Sequence, residues 1–278
     1  MNSVWSGATG QTGSMVVQPV LRGTGARRSW RSVLVIAAAG IAVAFPVSVW
    51  VALVVIALVI AAGFVASRNH DVAFVDAAVA VALLWLLIRL PVVGIWPVSP
   101  GLAILGAFLF AITQHRVRGW HAWFRIGHID AVSWLVIVGV VVITVASLVT
   151  WESLTGGTLP AAYEDSIGSV PAPLAVALVV VFLVLNGAVE DTLWSGLLLS
   201  ASKLTLPAAV AVVLTSASFA AAHLHGVPSG PIGVGMVLLW GLALSYLRIR
   251  THGMLATYLA HVAADVTIAV VLGAFSSR

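Results

Sequence analysis

The chain of 278 residues contains no cysteine. That absence excludes a disulfide framework, a thiolate nucleophile and any thiolate-bound metal. Charge is almost as scarce: 8% of residues are Asp, Glu, Lys or Arg, against about 25% in an ordinary soluble domain. A water-soluble globule is therefore excluded. The net charge of +4 is small, and nearly all basic residues are Arg placed between apolar runs. That placement suits the fixing of membrane topology and gives no footing for nucleic acid as a partner. Familiar catalytic signatures are missing as well. There is no His-Glu-x-x-His zinc helix, no phosphate-binding loop and no Gly-x-Ser-x-Gly elbow. Ser229 precedes His261 but lies between Pro228 and Pro231 in a turn, a poor setting for a serine activated by a histidine base.

What is present is hydrocarbon. The sequence is 61% hydrophobic with a mean hydropathy of +1.13. Its apolar runs are long enough to span a bilayer as helices and do not alternate at period two as barrel strands do. The expected fold is all-α: a polytopic transmembrane helix bundle of about eight or nine spans plus an interfacial amphipathic segment. Residues 32–66 form one apolar stretch interrupted by Pro46. As a single helix it would be ~52 Å long against about 30 Å of hydrocarbon, so two short spans turning near 45–48 are expected. Further runs follow at 72–88, 101–113, 131–150, 173–199, 205–222, 231–247 and 254–275. Segment 115–128 interleaves Arg116, Arg118 and Arg125 with Trp120, Trp123 and Phe124, a pattern suited to the headgroup region.

The expected organisation has three parts: a flexible basic tail at 1–31, N-terminal helices with the interfacial segment at 32–129, and a core at 130–278. Placing the Arg116–Arg125 loop in the cytoplasm puts the N-terminus inside and the C-terminus outside for about nine spans. This is an integral membrane protein with lipids as its surroundings, and a bacterial cell membrane is the expected location. No internal repeat of the kind that marks many transporters is visible.

Against this background Glu190 and Asp191 stand out, adjacent in the apolar run that begins near Pro173. An Asp at a membrane helix centre costs about 2.5–3.5 kcal/mol on insertion scales. Ionisable groups then recur in three local patterns. Glu190-Asp191-Thr-Leu-Trp-Ser195-Gly196 sets Asp191 and Ser195 four apart on one helix face, with Glu190 rotated by about 100°. A hydrogen bond between Asp191 and Ser195 that serves only helix packing is an open alternative for that pair. Phe219-Ala-Ala-Ala-His223 follows, with Phe219 expected to pack. His261-Val-Ala-Ala-Asp265 sets an imidazole and a carboxylate on one face. Trp194 reads as an interface anchor. Acid/base chemistry is therefore expected in the C-terminal half. If the helices converge, Glu190 can take a proton from a water that attacks a carbonyl. His223 can hold that water or bind a metal, and His261 with Asp265 can stabilise the oxyanion. By simple span counting His223 comes out near the opposite end of its span from the others. Convergence then needs shifted boundaries or a broken helix, for which Asn186-Gly187 is the expected place.

At these residues the sequence resembles the CAAX-protease and bacteriocin-processing family of intramembrane proteases, and is similar to the type II CAAX prenyl endopeptidase domain over residues 130–278. The family pattern Glu-Glu-x-x-x-Arg is met by Glu190 to Ser195, Phe-x-x-x-His by Phe219 to His223, and His-x-x-x-Asn/Asp by His261 to Asp265. The resemblance implies an endopeptidase acting on a peptide or membrane-protein substrate. It implies Glu190 as the water-activating base, His223 as its partner, and His261 with Asp265 at the oxyanion. Family members are often called metalloproteases, which implies a divalent metal such as zinc on Glu190, His223 and His261. The same groups can also work as a glutamate-type protease, so the cofactor stays open. Two supporting residues depart from the pattern: Asp191 replaces Glu, and Ser195 replaces an Arg that would pair with a carboxylate. The departures give the alternatives, a weak or inactive member acting as an immunity or scaffold protein, or a proton-coupled transporter.

Overall fold

The computed structural model describes residues 26–116, 120, 124–155 and 171–276. Arg22, Arg118, His121, Trp123, Glu164 and Asp165 lie outside the described residues. The described chain is built of helices: α1 (Ala26–Ala44), α2 (Val49–Arg68), α3 (Val72–Leu87), α4 (Val98–Thr113), α5 (Ala131–Thr155) and α6 (Ala172–Glu190). Helix α6 passes into a π-helical stretch, Asp191–Leu198, and a last α-turn, Leu199–Ser202. Three more follow: α7 (Ala208–Ala222), α8 (Gly230–Thr251) and α9 (Leu255–Ser276). Among the described residues, four helices are long and apolar enough to cross a membrane: α2, α5, α6 with its extension, and α8. The others are shorter apolar helices. This is a polytopic helical bundle, and the protein is an integral membrane protein.

Local chemistry sets the boundaries. The stretch 32–66 does break where Pro46 demands it: α1 ends at Ala44 and α2 starts at Val49, with Ser48 capping it by accepting from the Val51 amide. Asp71 caps α3 through the Phe74 amide at 3.4 Å. Asp130 caps α5, its Oδ1 accepting from the Ser133 amide at 2.8 Å and the Ser133 hydroxyl at 2.7 Å. Pro173 and Pro231 sit in the first turns of α6 and α8, where a missing N–H costs nothing.

Packing is inverted relative to a soluble protein. Large apolar side chains face outward on α2 (Trp50, Leu53, Val54, Phe64) and α6 (Val176, Val180, Val181), while the interior is rich in alanine and polar groups. Small residues let backbones approach closely where lipid supplies no hydrophobic drive between helices. Ala38, Ala39 and Ala42 of α1 are buried, and at Gly40 an added Cβ would stand 2.7 Å from the Ser218 carbonyl of α7.

Two stretches differ from expectation. Helix α1 begins at Ala26, and Arg31 is buried at 1% exposure. Its guanidinium lies 3.7 Å from Asp71 and over the Phe74 ring. In segment 115–128, Trp120 is turned into the bundle and is not at the headgroup level. It is buried against Phe108, and its indole N–H donates to Asp76 at 3.2 Å. Arg116 meets the same carboxylate at 2.9 Å. A buried Asp76 needs such partners. Further on, residues 125–128 pair with the α8–α9 turn: the Met254 amide donates to Arg125 O at 2.7 Å and the His128 amide to Thr251 O at 2.9 Å.

Candidate active site

The site is assembled where α6 gives way to the π-helical stretch. A π turn closes its hydrogen bond one residue further along than an α turn, as the Leu199 amide does to Trp194 O, and such turns are frequent at functional sites. The helix remains α through Glu190, so the break lies beyond Asn186-Gly187, where it was expected. The extra residue re-aims the side chains that follow. Asp191 faces α9, and Trp194 is buried at 4% exposure, its indole N–H donating to Ser218 at 3.1 Å. It is therefore no interface anchor. Among the described residues no hydrogen bond joins Asp191 to Ser195, and the packing alternative for that pair is not what forms.

Glu190, Asp191, His261 and Asp265 converge, each with under a tenth of its surface exposed. His223, at the C-terminal end of α7, completes the group with 14% of its side chain exposed. Phe219 O accepts from His223 Nδ1 at 2.9 Å, which puts the proton on Nδ1 and turns Nε2 toward Glu190, 3.9 Å from Oε2. His261 Nδ1 donates to Asp191 Oδ1 at 3.0 Å. Its Nε2 is 3.3 Å from Glu190 Oε2 and 3.8 Å from Asp265 Oδ2. The partner that fixes the His261 ring is thus Asp191, not Asp265 four residues along its own helix.

Asp265 instead accepts from Asn186 Nδ2 at 3.1 Å, and Asn186 Oδ1 accepts from the Trp96 indole N–H at 2.8 Å. The same N–H lies 3.0 Å from Glu190 Oε1. Trp96 sits in the turn before α4, outside the half of the chain where sequence reasoning located the chemistry. One signal for Asn186 existed, a polar amide four residues before Glu190 on the same face. For Trp96, a lone indole in a proline-rich turn, there was none.

Aromatic rings close the site. Phe219 packs edge-on to His223 at 4.7 Å and lies 6.0 Å from His261, and Trp240 is 5.0 Å from His261. Gly187 lets α9 come close: an added Cβ would stand 3.3 Å from Val262 and 3.6 Å from His261. Glu190 Oε2 and His261 Nε2 remain buried with no hydrogen bond to protein.

Residues 172–267 match the family model described as Rce1-like, type II CAAX prenyl endopeptidase. This segment belongs to that family. The Rce1-like segment holds all three motifs and excludes α1 to α5, so Trp96 reaches the site from outside it. No curated protein and no solved structure matches the chain. The Rce1-like family is one of proteases, and the match supports an intramembrane CAAX-protease kind of function. The metalloprotease expectation gains no such support. Among the described residues no three His, Asp or Glu donors gather as a metal cluster, the set Glu190, His223 and His261 included. The His223 nitrogen stands off at 3.9 Å, and both Nδ1 atoms are engaged in protein hydrogen bonds.

Proposed function

We propose that the protein is a membrane-embedded endopeptidase using water activated by Glu190. The observation that carries this reading is the placement of Glu190 Oε2 between His223 Nε2 at 3.9 Å and His261 Nε2 at 3.3 Å in one buried site. A water with ordinary hydrogen bonds of about 2.8 Å spans the wider gap, giving one proton to Glu190 and directing the other to His223 Nε2. As its oxygen bonds to the scissile carbonyl carbon, the first proton passes to Glu190. His261, doubly protonated between Asp191 and Asp265, donates from Nε2 to the developing oxyanion. Glu190 then hands its proton to the leaving nitrogen as the C–N bond breaks. Trp96 binds the other carboxylate oxygen and keeps Oε2 as the reactive one.

The substrate in this reading is an apolar peptide or membrane-protein segment. A chamber of about 280 Å³ between α5, α8 and α9 supports it. Leu148, Pro228, Met236 and Ile268 line it, and so does Trp240, whose ring packs on His261. In this reading the N-terminus is cytoplasmic, which the Arg-rich loop supports by the positive-inside rule.

The test uses the purified full-length protein in lipid nanodiscs, incubated with prenylated CAAX peptides, bacteriocin leader peptides and other membrane peptides. Cleavage products are read by mass spectrometry for the wild type, Glu190→Gln and His223→Ala. Loss of about 10²-fold or more in each variant is expected for removal of a general base or its partner. Undiminished turnover in either sinks the mechanism. The scaffold or immunity reading rests on Ser195, where the related motif has Arg. It would leave a cellular phenotype intact in Glu190→Gln.

A further inference from the structure

Helix α6 turns large apolar side chains outward, and only its Asn186, Gly187 and Glu190 are buried. Asn186 thus carries a polar amide into the bundle, where an unpaired one is costly. It has two partners. The Trp96 indole N–H donates to its Oδ1 at 2.8 Å, and its Nδ2 donates to Asp265 Oδ2 at 3.1 Å. The amide cannot be turned round, because an indole N–H only donates and must face the oxygen. Its NH₂ group is thereby committed to Asp265. Another pairing is at hand for that carboxylate. His261 lies four residues earlier on α9, the spacing at which side chains on one helix face meet. The two are nevertheless held apart: His261 Nε2 is 3.8 Å from Asp265 Oδ2, beyond the range of about 2.7–3.2 Å for an N–H···O bond. Glu190 Oε2, at 3.3 Å, is the other carboxylate oxygen near Nε2, and Trp96 restrains that group by its second oxygen. His261 Nε2 is left buried without a hydrogen bond to protein, while Nδ1 is committed to Asp191.

We propose that Asn186 is a positioning residue that keeps Asp265 off His261, so that the Nε2 proton stays free for an oxyanion. This rests on the reading of His261 as the oxyanion donor. An Asp265 carboxylate bonded to that proton would satisfy it in the resting protein. The developing oxyanion would then have to displace a carboxylate to reach its donor, which removes the benefit of a donor set in advance. Held at 3.8 Å, the same carboxylate still attracts the imidazolium through space without taking its proton. Asn186 thus separates two effects of one carboxylate, its field and its hydrogen bond. Trp96 anchors the arrangement, because the N–H that holds the Asn186 amide also lies 3.0 Å from Glu190 Oε1. One indole therefore restrains both carboxylates that could capture the His261 proton, Glu190 directly and Asp265 through Asn186.

The hydrogen bond itself is read without a substrate. The full chain, its histidines labelled with the heavy nitrogen isotope, is compared with Asn186→Leu in detergent micelles by proton–nitrogen NMR. The His261 signals are those lost in His261→Gln. In Asn186→Leu the His261 Nε2 proton is expected to move downfield as Asp265 closes on it, and to move back when Asp265→Ala is added. An Nε2 proton that keeps its wild-type position in Asn186→Leu overturns the proposal and leaves the donor reading intact. Absence of an Nε2 proton in the wild type removes the donor and overturns both. Turnover of the peptides named above is the second measurement. In Asn186→Leu kcat is expected to fall by about 10²-fold, the lower end of the loss for an oxyanion donor, with KM little changed. Adding Asp265→Ala should then make the enzyme faster than Asn186→Leu alone. A merely structural Asn186 would leave the double variant as slow or slower, and that order overturns the proposal. Asn186→Ala takes the place of the leucine variant in both measurements if that variant fails to fold.

Discussion

Gly40→Ala tests whether the close approach of α1 to α7 supports the site from a distance. A methyl at this position would meet Ser218 O at 2.7 Å, Ser218 Oγ at 3.0 Å and Ser218 Cα at 3.1 Å. Two of these are backbone atoms and cannot rotate away, so the helices must separate. Overpacking of this kind costs about 1–3 kcal/mol. Separation also lengthens the 2.7 Å bond from the Ser218 hydroxyl to Ile36 O, a net loss of about 0.5–1.5 kcal/mol. Alanine's better helix propensity returns about 1 kcal/mol. The balance is a destabilisation of about 1–3 kcal/mol. Gly139→Ala on α5 is the matched control, because an added Cβ there meets nothing within 4 Å and should be neutral or stabilising by up to about 1 kcal/mol. Reversible unfolding in mixed micelles measures both. Ser218 also accepts from Trp194 of the π-helical stretch, so Gly40→Ala should lower any peptidase activity too. If Gly40→Ala is as stable as Gly139→Ala, the reasoning from close approach is wrong.

Three further expectations follow from the site and its surroundings. Trp96→Phe keeps an aromatic ring, though a smaller one, and removes the N–H shared by Asn186 and Glu190. A hydrogen bond to a charged group is worth about 1.5–3 kcal/mol, so kcat should fall about 10- to 100-fold with KM little changed, and an unaltered kcat would count against the assigned role. Asp191→Ala should reduce turnover more than Asp265→Ala, because Asp191 is 3.0 Å from His261 and Asp265 is 3.8 Å away; the reverse order would restore Asp265 as the orienting group. Asp130, outside the spans, has its carboxyl held below the usual range by hydrogen bonds from Arg250 and Ser133. Its contribution to stability is therefore full above about pH 4, the unfolded value, and is lost as pH falls through the lower folded value. Asp130→Asn should flatten that acid limb in a melting series from pH 6 to pH 3, and an unchanged limb would contradict the pairing.

The sequence by itself determined the class of fold and singled out the ionisable side chains that the fold brings together. Bilayer hydrocarbon leaves spanning segments little choice but long apolar helices with internal hydrogen bonds, so composition and run length sufficed, and Pro46 divided the first stretch correctly. Intramembrane carboxylates and imidazoles are costly enough that Glu190, Asp191, His223, His261 and Asp265 stood out against leucine and valine. What they do to one another was legible only in part. Spacing of four on a regular helix paired His261 with Asp265 and Asp191 with Ser195. In the fold Asp191 bonds to His261, Asp265 turns to Asn186, and Ser195 lines a small cavity beside Asp191. For Asp191 and Ser195 the π-helical turn is the reason, since one extra residue in a turn rotates the side chains beyond it, and no local pattern announced it. Trp96, Trp120 and Trp194 are the other instances. Trp120 in the basic segment and Trp194 near a span end read as interfacial because that is the cheapest isolated position for an indole, and Trp96 carried no reading. Each of these three instead donates to a polar group that lies 24 to 94 residues away in the chain. Local periodicity specifies which residues share a helix face, but only the packing of faces from different helices decides which buried donor meets which buried acceptor.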